Sequence, residues 1–434
     1  MNTLFSNVTV VTMDEQRRIL RNAFVSVEGH SIQAVSETRP EGSFDREIDG
    51  TGKVLMPGLV NAHTHVPMSL LRGYGGGHDL QTWLNDYIFP AEDRLDGRCV
   101  RCGTALSAAE LIANGVTCLA DMYYFLEDMA ETILESGFNA NLARGTTCFQ
   151  KLTDVENYQS VVDLRDMVER YHGRNDGQIL VDASIHGEYT SYAEPGLWEY
   201  LGRYAADHGL GMHVHISETR SEHEECISRH RTTPLRVLDS YGVWECGRSI
   251  AAHCVWCSEG DFALMREKNI TCVHNPVSNL KLGSGVARVP DMLRSGVNVA
   301  LGTDGVSSNN HQDLFEEVKL SSILHCGLAR DPQAVTALQA LEMATVNGGR
   351  ALGRRCGSVR PGWDADLILL DFTRPGLVPC HDVVENLVYS ARGSDVCLTM
   401  ARGKILYENG TFLTLDMEKI RWEVEHYALP HMFG

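Results

Sequence analysis

The sequence predicts an α/β protein built around a (β/α)₈ barrel, with β-rich segments at both ends of the chain. Two observations lead to this prediction. The middle of the chain alternates eight apolar, strand-like runs with helix-compatible sequence, and polar residues follow the strand ends. The two ends of the chain instead read as successive strands separated by turns.

Strand-like segments mark both ends of the chain. Near the amino terminus they are Val8–Val11 and Ala23–Val27, which are rich in β-branched residues, and the second is followed by a turn signal at Glu28-Gly29. Near the carboxyl terminus the comparable segments are Asp366–Leu370, Val396–Met400 and Lys404–Tyr407.

The number of strands in the middle section favours a barrel over an open sheet. Helical patterns such as Cys102–Ala113 and Asp331–Ala344 separate the strands. A doubly wound sheet usually has fewer strands and a glycine-rich phosphate turn, and Gly73–Gly77 lacks the spacing of such a turn. The strands predicted for the barrel are Val54–Asn61, Thr117–Asp121, Asn139–Arg144, Ile179–Ile185, Gly211–Ile216, Ser249–Ala252, Ile270–Val273 and Val297–Leu301.

Composition narrows the function class. The 434 residues include 38 Lys and Arg against 57 Asp and Glu, a formal net charge of −19. This balance argues against a nucleic-acid or anionic-membrane surface, which needs clustered positive charge. The amino terminus lacks the pattern of a secretory signal, and the 13 cysteines do not read as a disulfide framework. We therefore expect a soluble, cytoplasmic protein with reduced thiols.

Polar residues follow the ends of the predicted barrel strands. His63 and His65 come at the end of the first strand, His215 at the end of the fifth, and Asp304 after the eighth. Residues two apart on a strand face the same side, and in a barrel all carboxyl ends of strands meet at one mouth. Zinc accepts imidazole nitrogens and carboxylate oxygens as ligands. The pattern therefore predicts a metal site at this mouth.

Longer motifs spread along the chain carry a family resemblance. They are MPGLVNAHTH at 56–65, LRGY at 71–74, PAEDRL at 90–95, HISET at 215–219, AAHCV at 251–255, HNPVSNLKLG at 274–283, LGTDG at 301–305 and PGWDADL at 361–367. Together they resemble the amidohydrolase superfamily, and within it the branch of methylthioadenosine/S-adenosylhomocysteine deaminases and their chlorohydrolase relatives. The resemblance covers nearly the whole chain.

The resemblance implies the domain arrangement. Residues 57–358 are expected to form a distorted (β/α)₈ TIM barrel, and residues 1–56 and 359–434 a small composite β-sandwich beside it. The loops Pro67–Phe89 and Val306–Asp313 are expected to cover the substrate. The resemblance also favours a homo-oligomer, although no feature of the sequence sets the number of subunits.

The resemblance implies one metal ion per subunit, held by His63, His65, His215 and Asp304. Relatives with two ions bridge them with a carbamylated lysine at the end of the fourth strand, where this chain has His186 and no lysine. Zinc is expected, and Fe²⁺ remains open because nitrogen and oxygen ligands suit both ions.

The implied reaction is the hydrolysis of a C–N bond in a cyclic amidine. The 6-amino group of an adenine nucleoside, such as methylthioadenosine, 5′-deoxyadenosine, adenosine or S-adenosylhomocysteine, is replaced by oxygen and released as ammonia. The metal lowers the pKa of water and so yields hydroxide at neutral pH. Glu218 matches the carboxylate that carries a proton to the ring, and His253 the histidine that stabilises the developing charge. Asp304 could pass the second proton to the leaving amine.

Further residues match substrate-binding positions of the branch. Glu92 matches a glutamate that binds both ribose hydroxyls, although a glutamate beside Pro90 at the start of a helix also has an ordinary structural explanation. His186 matches a residue that contacts the nucleoside near its 5′ end. Arg144 matches one of two arginines that grip the homocysteine carboxylate in some relatives. In place of the second, only Lys151 is present, and lysine lacks the planar fork for such a grip. S-adenosylhomocysteine is therefore not expected to be the main substrate.

Other interpretations compete with this one. His186-Gly187-Glu188 with Cys254 and Cys257 imitates the zinc signature of cytidine-type deaminases, but His253 stands where that signature has proline. The Cys99/Cys102 and Cys254/Cys257 pairs are therefore expected to be buried thiols. His213 lies two residues deeper than His215 and is expected to support the site or pack in the core.

Two other function classes stay open. An s-triazine chloro- or aminohydrolase, or a guanine, cytosine or pterin deaminase, would use the same metal ligands, and Glu92 is the feature that favours a ribose. A barrel that has lost its metal is disfavoured by the intact set of metal-binding and proton-transfer residues.

Overall fold

The computed structural model describes residues 2–434, which contain seventeen β-strands in two sheets. The strands are β1 (Asn2–Val11), β2 (Ile19–Glu28), β3 (Ser31–Ser36), β4 (Arg46–Asp49), β5 (Lys53–Pro57), β6 (Leu59–Thr64), β7 (Val116–Tyr123), β8 (Asn139–Arg144), β9 (Ile179–Ile185), β10 (Met212–Ile216), β11 (Ser249–His253), β12 (Ile270–His274), β13 (Val299–Leu301), β14 (Leu367–Asp371), β15 (Val396–Ala401), β16 (Lys404–Glu408) and β17 (Thr411–Phe412).

Helices connect and follow these strands. They are α1 (Leu80–Thr82), α2 (Phe89–Glu92), α3 (Gly97–Ala113), α4 (Leu126–Ser136), α5 (Gln159–Tyr171), α6 (Arg174–Gly177), α7 (Pro195–His208), α8 (Arg220–His230), α9 (Pro234–Ser240), α10 (Glu259–Glu267), α11 (Pro276–Lys281), α12 (Val289–Arg294), α13 (Val306–Asn309), α14 (Leu314–Ala329), α15 (Ala337–Met343), α16 (Val346–Leu352), α17 (Val383–Tyr389), α18 (Met417–Glu423) and α19 (Leu429–Phe433). Short 3₁₀ or π-helical turns at 66–71, 83–88, 188–190, 375–377, 393–395 and 424–428 complete the set.

Strands β6–β13 form the barrel. They are parallel and adjacent in chain order. The first and last strands meet because the Asp304 N–H, just after β13, donates to the His63 carbonyl at 3.0 Å. A Cβ on Gly302 would lie 2.7 Å from that carbonyl oxygen, so only glycine allows this approach. The closed parallel barrel confirms the predicted fold class.

The second sheet joins both ends of the chain. Its order is β17-β16-β15-β14-β5-β1-β2-β3, and β4 pairs with β1. The amino- and carboxyl-terminal strands meet where β5 runs antiparallel to β14 and Leu55 stands opposite Leu369. Phe5, Val8 and Val25 are buried in the core of this sheet.

One predicted strand is wrong. Val54–Asn61 is divided between β5, in the terminal sheet, and β6, in the barrel. The division falls at Gly58, where a Cβ would lie 2.1 Å from the Thr117 hydroxyl. The bare backbone therefore passes close to β7 as it crosses between sheets. The other seven predicted barrel strands agree with β7–β13 to within two residues at either end.

Helix starts were predicted less well. The pattern at Cys102–Ala113 belongs to the longer α3, which begins at Gly97 because the Asp96 side chain accepts the Cys99 N–H. The helix predicted at Asp331–Ala344 is confined to α15, because a capping box between Thr336 and Gln339 fixes its start.

The connection between β6 and α3 lies over the mouth of the barrel. Helix α18 and the turn 424–428 pack on α3, where Tyr427 donates to Asp96 at 2.5 Å, and α19 is held by Arg94, which donates to the Met432 carbonyl at 2.8 Å. Within residues 2–434, no helix has the length and apolar composition that crossing a membrane requires. The four cysteines of the two C-x-x-C pairs are buried free thiols.

Candidate metal centre and active site

Three histidines and one aspartate from the ends of three barrel strands converge at the mouth. His63 and His65 come from the end of β6, His215 from β10, and Asp304 from the turn after β13. Asp304 Oδ1 lies 3.4 Å from His63 Nε2 and 3.2 Å from His65 Nε2. The Nε2 atoms of His65 and His215 are 3.3 Å apart. The four predicted metal ligands are therefore brought together.

The second ring nitrogen of each histidine has its own partner. His65 Nδ1 lies 2.6 Å from the Met122 carbonyl, and His215 Nδ1 lies 2.6 Å from the His186 carbonyl. A carbonyl only accepts, so both Nδ1 atoms carry a proton, which leaves Nε2 of each ring as the nitrogen available to a metal ion. His63 Nδ1 lies 2.8 Å from His213 Nε2, and among the described residues its own Nε2 finds no hydrogen-bond partner although it is fully buried. Such an orphaned nitrogen fits a metal ligand.

Asp304 is held in one orientation. Its Oδ2 accepts hydrogen bonds from Ser278 Oγ at 2.6 Å and Ser308 Oγ at 3.0 Å, which leaves Oδ1 facing the histidines. Burial raises the pKa of Asp304, but the neighbouring imidazoles of His63, His65 and His253 outweigh this effect and hold that pKa well below its usual range. The carboxylate is therefore ionised.

Burial sets the charge of the imidazoles. It lowers the pKa of His63 to about 4 and that of His215 well below its usual value, so both rings are neutral at neutral pH. Burial also lowers the pKa of His65, but the hydrogen bond to Asp304 has the larger, opposite effect, and the resulting pKa is about 9. Imidazole nitrogens with one carboxylate form a donor set that suits a divalent transition metal such as zinc.

Two more titratable groups face the same space. Glu218 follows β10, and its Oε1 accepts a hydrogen bond from Ser284 Oγ at 3.2 Å. Its Oε2 lies 3.7 Å from Nε2 of His253, at the end of β11. Burial raises the pKa of Glu218. His253 is held from behind, because its Nδ1 lies 2.8 Å from Asn279 Oδ1. A proton acceptor and an imidazole thus lie side by side at the predicted metal site.

The backbone is strained where these groups sit. Ser217, His253 and Asp304 have φ angles of 48°, 71° and 61°, in the left-handed region that side chains with a Cβ rarely adopt. Residues held in this region persist only where the surrounding structure fixes them, and they cluster at functional sites. The three strained positions adjoin or carry the predicted functional side chains.

Most of the polar side chains described above line one cavity, which we call the inner chamber. Its polar lining consists of His65, Glu92, His186, His215, Glu218, His253 and Asp304. Its apolar and aromatic lining includes Met68, Leu80, Trp83, Leu84, Ile88, Phe89, Met122, Tyr123, Tyr124, Tyr189 and Leu282.

Only one of the two predicted cover segments reaches the inner chamber. Residues 67–89 supply Leu80, Trp83 and their apolar neighbours. In the part of the chain that is described, residues 306–313 do not line the chamber. This segment instead supports the site, since Ser308 donates to Asp304 and Asn309 Nδ2 donates to the Thr303 carbonyl at 2.8 Å.

Glu92 lies in the inner chamber, at the end of α2. Its Oε1 accepts a hydrogen bond from Tyr123 Oη at 2.6 Å. Burial raises the pKa of Glu92 to about 7. A carboxylate with one occupied oxygen and one facing the cavity can accept hydrogen bonds from a ligand.

His186, at the end of β9, also lines the inner chamber. Its ring packs on His215, with centroids 4.7 Å apart, and on Tyr189. Burial, followed by the neighbouring histidines, lowers the pKa of His186 to about 3. A neutral, polar ring therefore faces the cavity.

Arg144 lies outside the inner chamber, in an adjoining cavity that we call the outer chamber. The outer chamber is lined by Phe89, Glu92, Asp93, Tyr124, Phe125, Arg144, Thr147 and Phe149. Arg144 Nε donates to Asp163 Oδ2 at 2.9 Å and Nη1 to the Gly145 carbonyl at 2.5 Å, and the guanidinium lies 4.7 Å from the centre of the Tyr124 ring. Lys151 is exposed and lines neither chamber.

Sequence reasoning missed the residues that hold the site in place. They include Ser278 and Ser308 behind Asp304, Asn279 behind His253, Ser284 and Glu222 beside Glu218, and Tyr123 beside Glu92. A signal existed for Glu222, since Thr219-Arg220-Ser221-Glu222 has the spacing of a capping box. The others depend on contacts between distant segments, which a single sequence does not show.

Comparisons with known proteins agree with the geometry. A sequence model described as the amidohydrolase family matches residues 54–406. The 5-methylthioadenosine/S-adenosylhomocysteine deaminase of Thermoanaerobacter pseudethanolicus is 38% identical over 431 residues, covering 99% of each chain. The 5′-deoxyadenosine deaminase of Methanosarcina acetivorans is 39% identical over 418 residues, 96% of this chain and 95% of the other. A crystal structure of a zinc-bound adenosine deaminase of Xanthomonas campestris superposes with a TM-score of 0.93 at 30% identity, covering 99% and 98%.

Proposed function

The chain belongs to the amidohydrolase family, and we propose that it is a metal-dependent aminohydrolase that replaces the 6-amino group of an adenine nucleoside with oxygen and releases ammonia. The observation that carries the proposal is the inner chamber, where a cluster of metal-ligand type lies beside a buried glutamate and histidine. The relatives named as deaminases of adenine nucleosides support the same reaction.

The metal site is proposed from the donor set. His63, His65, His215 and Asp304 would hold one divalent ion, and zinc is favoured because the similar crystal structure contains it. When bound, such an ion supplies Lewis acidity and lowers the pKa of water towards about 7. Strand β9 ends at Ile185 and is followed by His186, so no lysine stands there that could bridge a second ion.

Glu218 is proposed to transfer the first proton, and His253 is proposed to assist by orienting the water. The buried Glu218 carboxylate, with its raised pKa, can take a proton from the attacking water and give it to ring nitrogen N1. His253 faces the same space, tied through Nδ1 to Asn279, so its ring can orient the water and stabilise charge that develops there. Asp304 Oδ1 can accept the second proton and pass it to the departing amine.

Glu92 is proposed to bind the ribose. Glu92 lines the inner chamber, and the carboxylate oxygen that is not bonded to Tyr123 has two lone pairs, which can accept hydrogen bonds from two vicinal hydroxyls. This feature favours a nucleoside over a free base or a triazine, which offers no such pair of hydroxyls.

The outer chamber is proposed to receive the 5′ substituent. It continues from the inner chamber through the shared residues Phe89, Glu92 and Tyr124, and His186 faces the inner side. Its only cation in the described lining is Arg144, whose charge is already paired with Asp163. With an aromatic wall and no unpaired positive charge, it suits the methyl or methylthio group of 5′-deoxyadenosine or methylthioadenosine. The amino-acid end of S-adenosylhomocysteine fits less well.

Ammonia release by zinc-loaded enzyme across one substrate panel tests the proposal. The panel holds methylthioadenosine, 5′-deoxyadenosine, adenosine, S-adenosylhomocysteine, free adenine, guanine, cytosine and an amino-triazine. We expect the largest kcat/KM with the first two nucleosides. Turnover of a free base or a triazine, with no release from any nucleoside, would overturn the substrate assignment and leave the metal site intact.

A further inference from the structure

A capping box starts α8, directly after the turn that carries Glu218. In such a box the first side chain accepts the backbone N–H three residues later, and the later side chain accepts the first backbone N–H. Here Thr219 Oγ1 accepts the Glu222 N–H at 3.3 Å, and Glu222 Oε2 accepts the Thr219 N–H at 3.3 Å. These two bonds are the ordinary content of the motif.

The Glu222 carboxylate reaches further back than a capping box requires. Its Oε1 accepts the Ser217 N–H at 2.9 Å, and its Oε2 also accepts the Glu218 N–H at 3.1 Å. One buried carboxylate thus holds three successive backbone N–H groups. The middle one belongs to Glu218, and the first belongs to Ser217 with its left-handed φ of 48°.

We propose that Glu222 is a positioning residue for Glu218, which it holds through the backbone in the conformation that aims the Glu218 side chain into the inner chamber. Glu222 does not itself line the chamber. It therefore acts on the proton-transfer group without touching the substrate. The proposal rests on the role proposed above for Glu218.

Two other capping boxes in the chain show what is unusual about this one. At the start of α10, Asp261 accepts the Ser258 N–H at 2.8 Å, and at the start of α15, Gln339 accepts the Thr336 N–H at 2.9 Å. In both, the backbone bonds of the later side chain stop at its own cap residue. Within residues 2–434, only the box at Glu222 extends to a residue that faces the inner chamber. Asp261 also shows that an aspartate at this position closes the ordinary box.

Glu222→Asp separates two functions of the Glu222 side chain, which are closing the capping box at Thr219 and holding the backbone of Ser217 and Glu218. The shorter carboxylate can still accept the Thr219 N–H, as Asp261 does for Ser258, but it loses its reach to Ser217 and Glu218. A displacement of about 1 Å at a reacting group can lower the rate by about a hundredfold. We expect kcat for methylthioadenosine to fall by about tenfold or more, with unchanged zinc content and a KM within about twofold of the wild type.

The control is Asp261→Glu, which makes the reverse change of length in a box whose backbone bond goes to Ser258 and not to Glu218. We expect kcat to stay within about twofold of the wild type. If Glu222→Asp does not fold, Glu222→Gln keeps the length and places an amide N–H₂ against one of the three donors. A kcat of the Glu222 variant equal to that of Asp261→Glu, or a loss confined to KM or zinc content, would overturn the proposal.

A double-mutant cycle distinguishes this proposal from the proposed function. We expect Glu218→Gln to abolish most of the turnover and Glu222→Asp to cause no further loss in that background, because the positioned group is gone. An equal fractional loss in both backgrounds would refute the positioning role. Full activity of Glu218→Gln alone would instead refute the proton path itself.

Discussion

The inner and outer chambers share a wall but are built in opposite ways. In the inner chamber the titratable groups are buried or half-buried, and hydrogen bonds to backbone, serine or asparagine partners hold several of them in place around the cavity. In the outer chamber the cation in the described lining, Arg144, is already paired with Asp163, and aromatic side chains such as Phe149 are exposed. The difference suggests that the inner chamber performs the chemistry, while the outer chamber selects which nucleoside is presented to it.

The largest effect is expected from Glu218→Gln. Loss of a positioned general acid–base group lowers kcat by about 10²- to 10⁴-fold. Because Glu218 acts on the ring and not on the 5′ group, we expect the same fractional loss for every nucleoside tested. Zinc content should equal that of the wild type, which metal analysis of the same sample checks. A loss of kcat that differed strongly between 5′ substituents would contradict the separation of catalysis in the inner chamber from substrate selection in the outer chamber.

Glu92→Ala is expected to have the next largest effect, because Glu92 lies on the shared wall. Loss of hydrogen bonds from two ribose hydroxyls to a carboxylate should lower kcat/KM for nucleosides by at least about a hundredfold, at about 1.5–3 kcal/mol for each bond. The slow reaction with free adenine, which has no ribose, should change little. Equal losses on adenine and on methylthioadenosine would remove the ribose role. Asp86→Asn, which changes an exposed carboxylate that lines neither chamber, serves as the control variant.

Asp163→Asn is expected to change selectivity rather than rate. It removes the partner of Arg144 and frees the guanidinium for a substrate carboxylate. The pair is partly exposed, so the gain should be modest, about fivefold in kcat/KM for S-adenosylhomocysteine relative to methylthioadenosine. Asp166→Asn removes a nearby exposed charge that is not paired with Arg144, and it therefore controls for the general change in electrostatic potential. An unchanged ratio in Asp163→Asn would mean that Arg144 is not part of the 5′ subsite.

The smallest effect is expected in the pH profile. Burial raises the pKa of Glu92 to about 7, so this side chain is protonated below that pH and ionised above it. The ionised form accepts both hydroxyls, and kcat/KM for nucleosides should therefore rise severalfold as the pH increases through about 7. Glu92→Gln should lack this rise, as should the wild type with free adenine as substrate. If the rise of kcat/KM with pH persisted in either case, another group would be responsible for it.

Much of this arrangement could be predicted from the sequence. The spacing of His63 and His65 and the polar ends of the strands locate the mouth of the barrel, since strand geometry dictates which side chains share a face. The same rule placed His213 on the face of His215, and its depth in the barrel explains why it contacts His63 from below. Local patterns therefore reveal which residues gather there.

The rest depends on packing between distant segments. The crossing at Gly58 follows from the close approach of Thr117, and the pairing of Arg144 with Asp163 joins β8 to α5. Neither leaves a periodic signal in a single sequence. The lack of a second arginine beside Lys151 already argued against S-adenosylhomocysteine in the sequence, but the pairing of Arg144 with Asp163 was visible only in the folded structure.

A zinc titration tests the central claim most directly. Chelator-treated enzyme would receive increasing zinc while ammonia release from methylthioadenosine is followed. The account predicts no release without metal, a linear rise, and a plateau at one zinc per subunit. Release from the metal-free enzyme, a plateau only at two equivalents, or no release at any loading would contradict it.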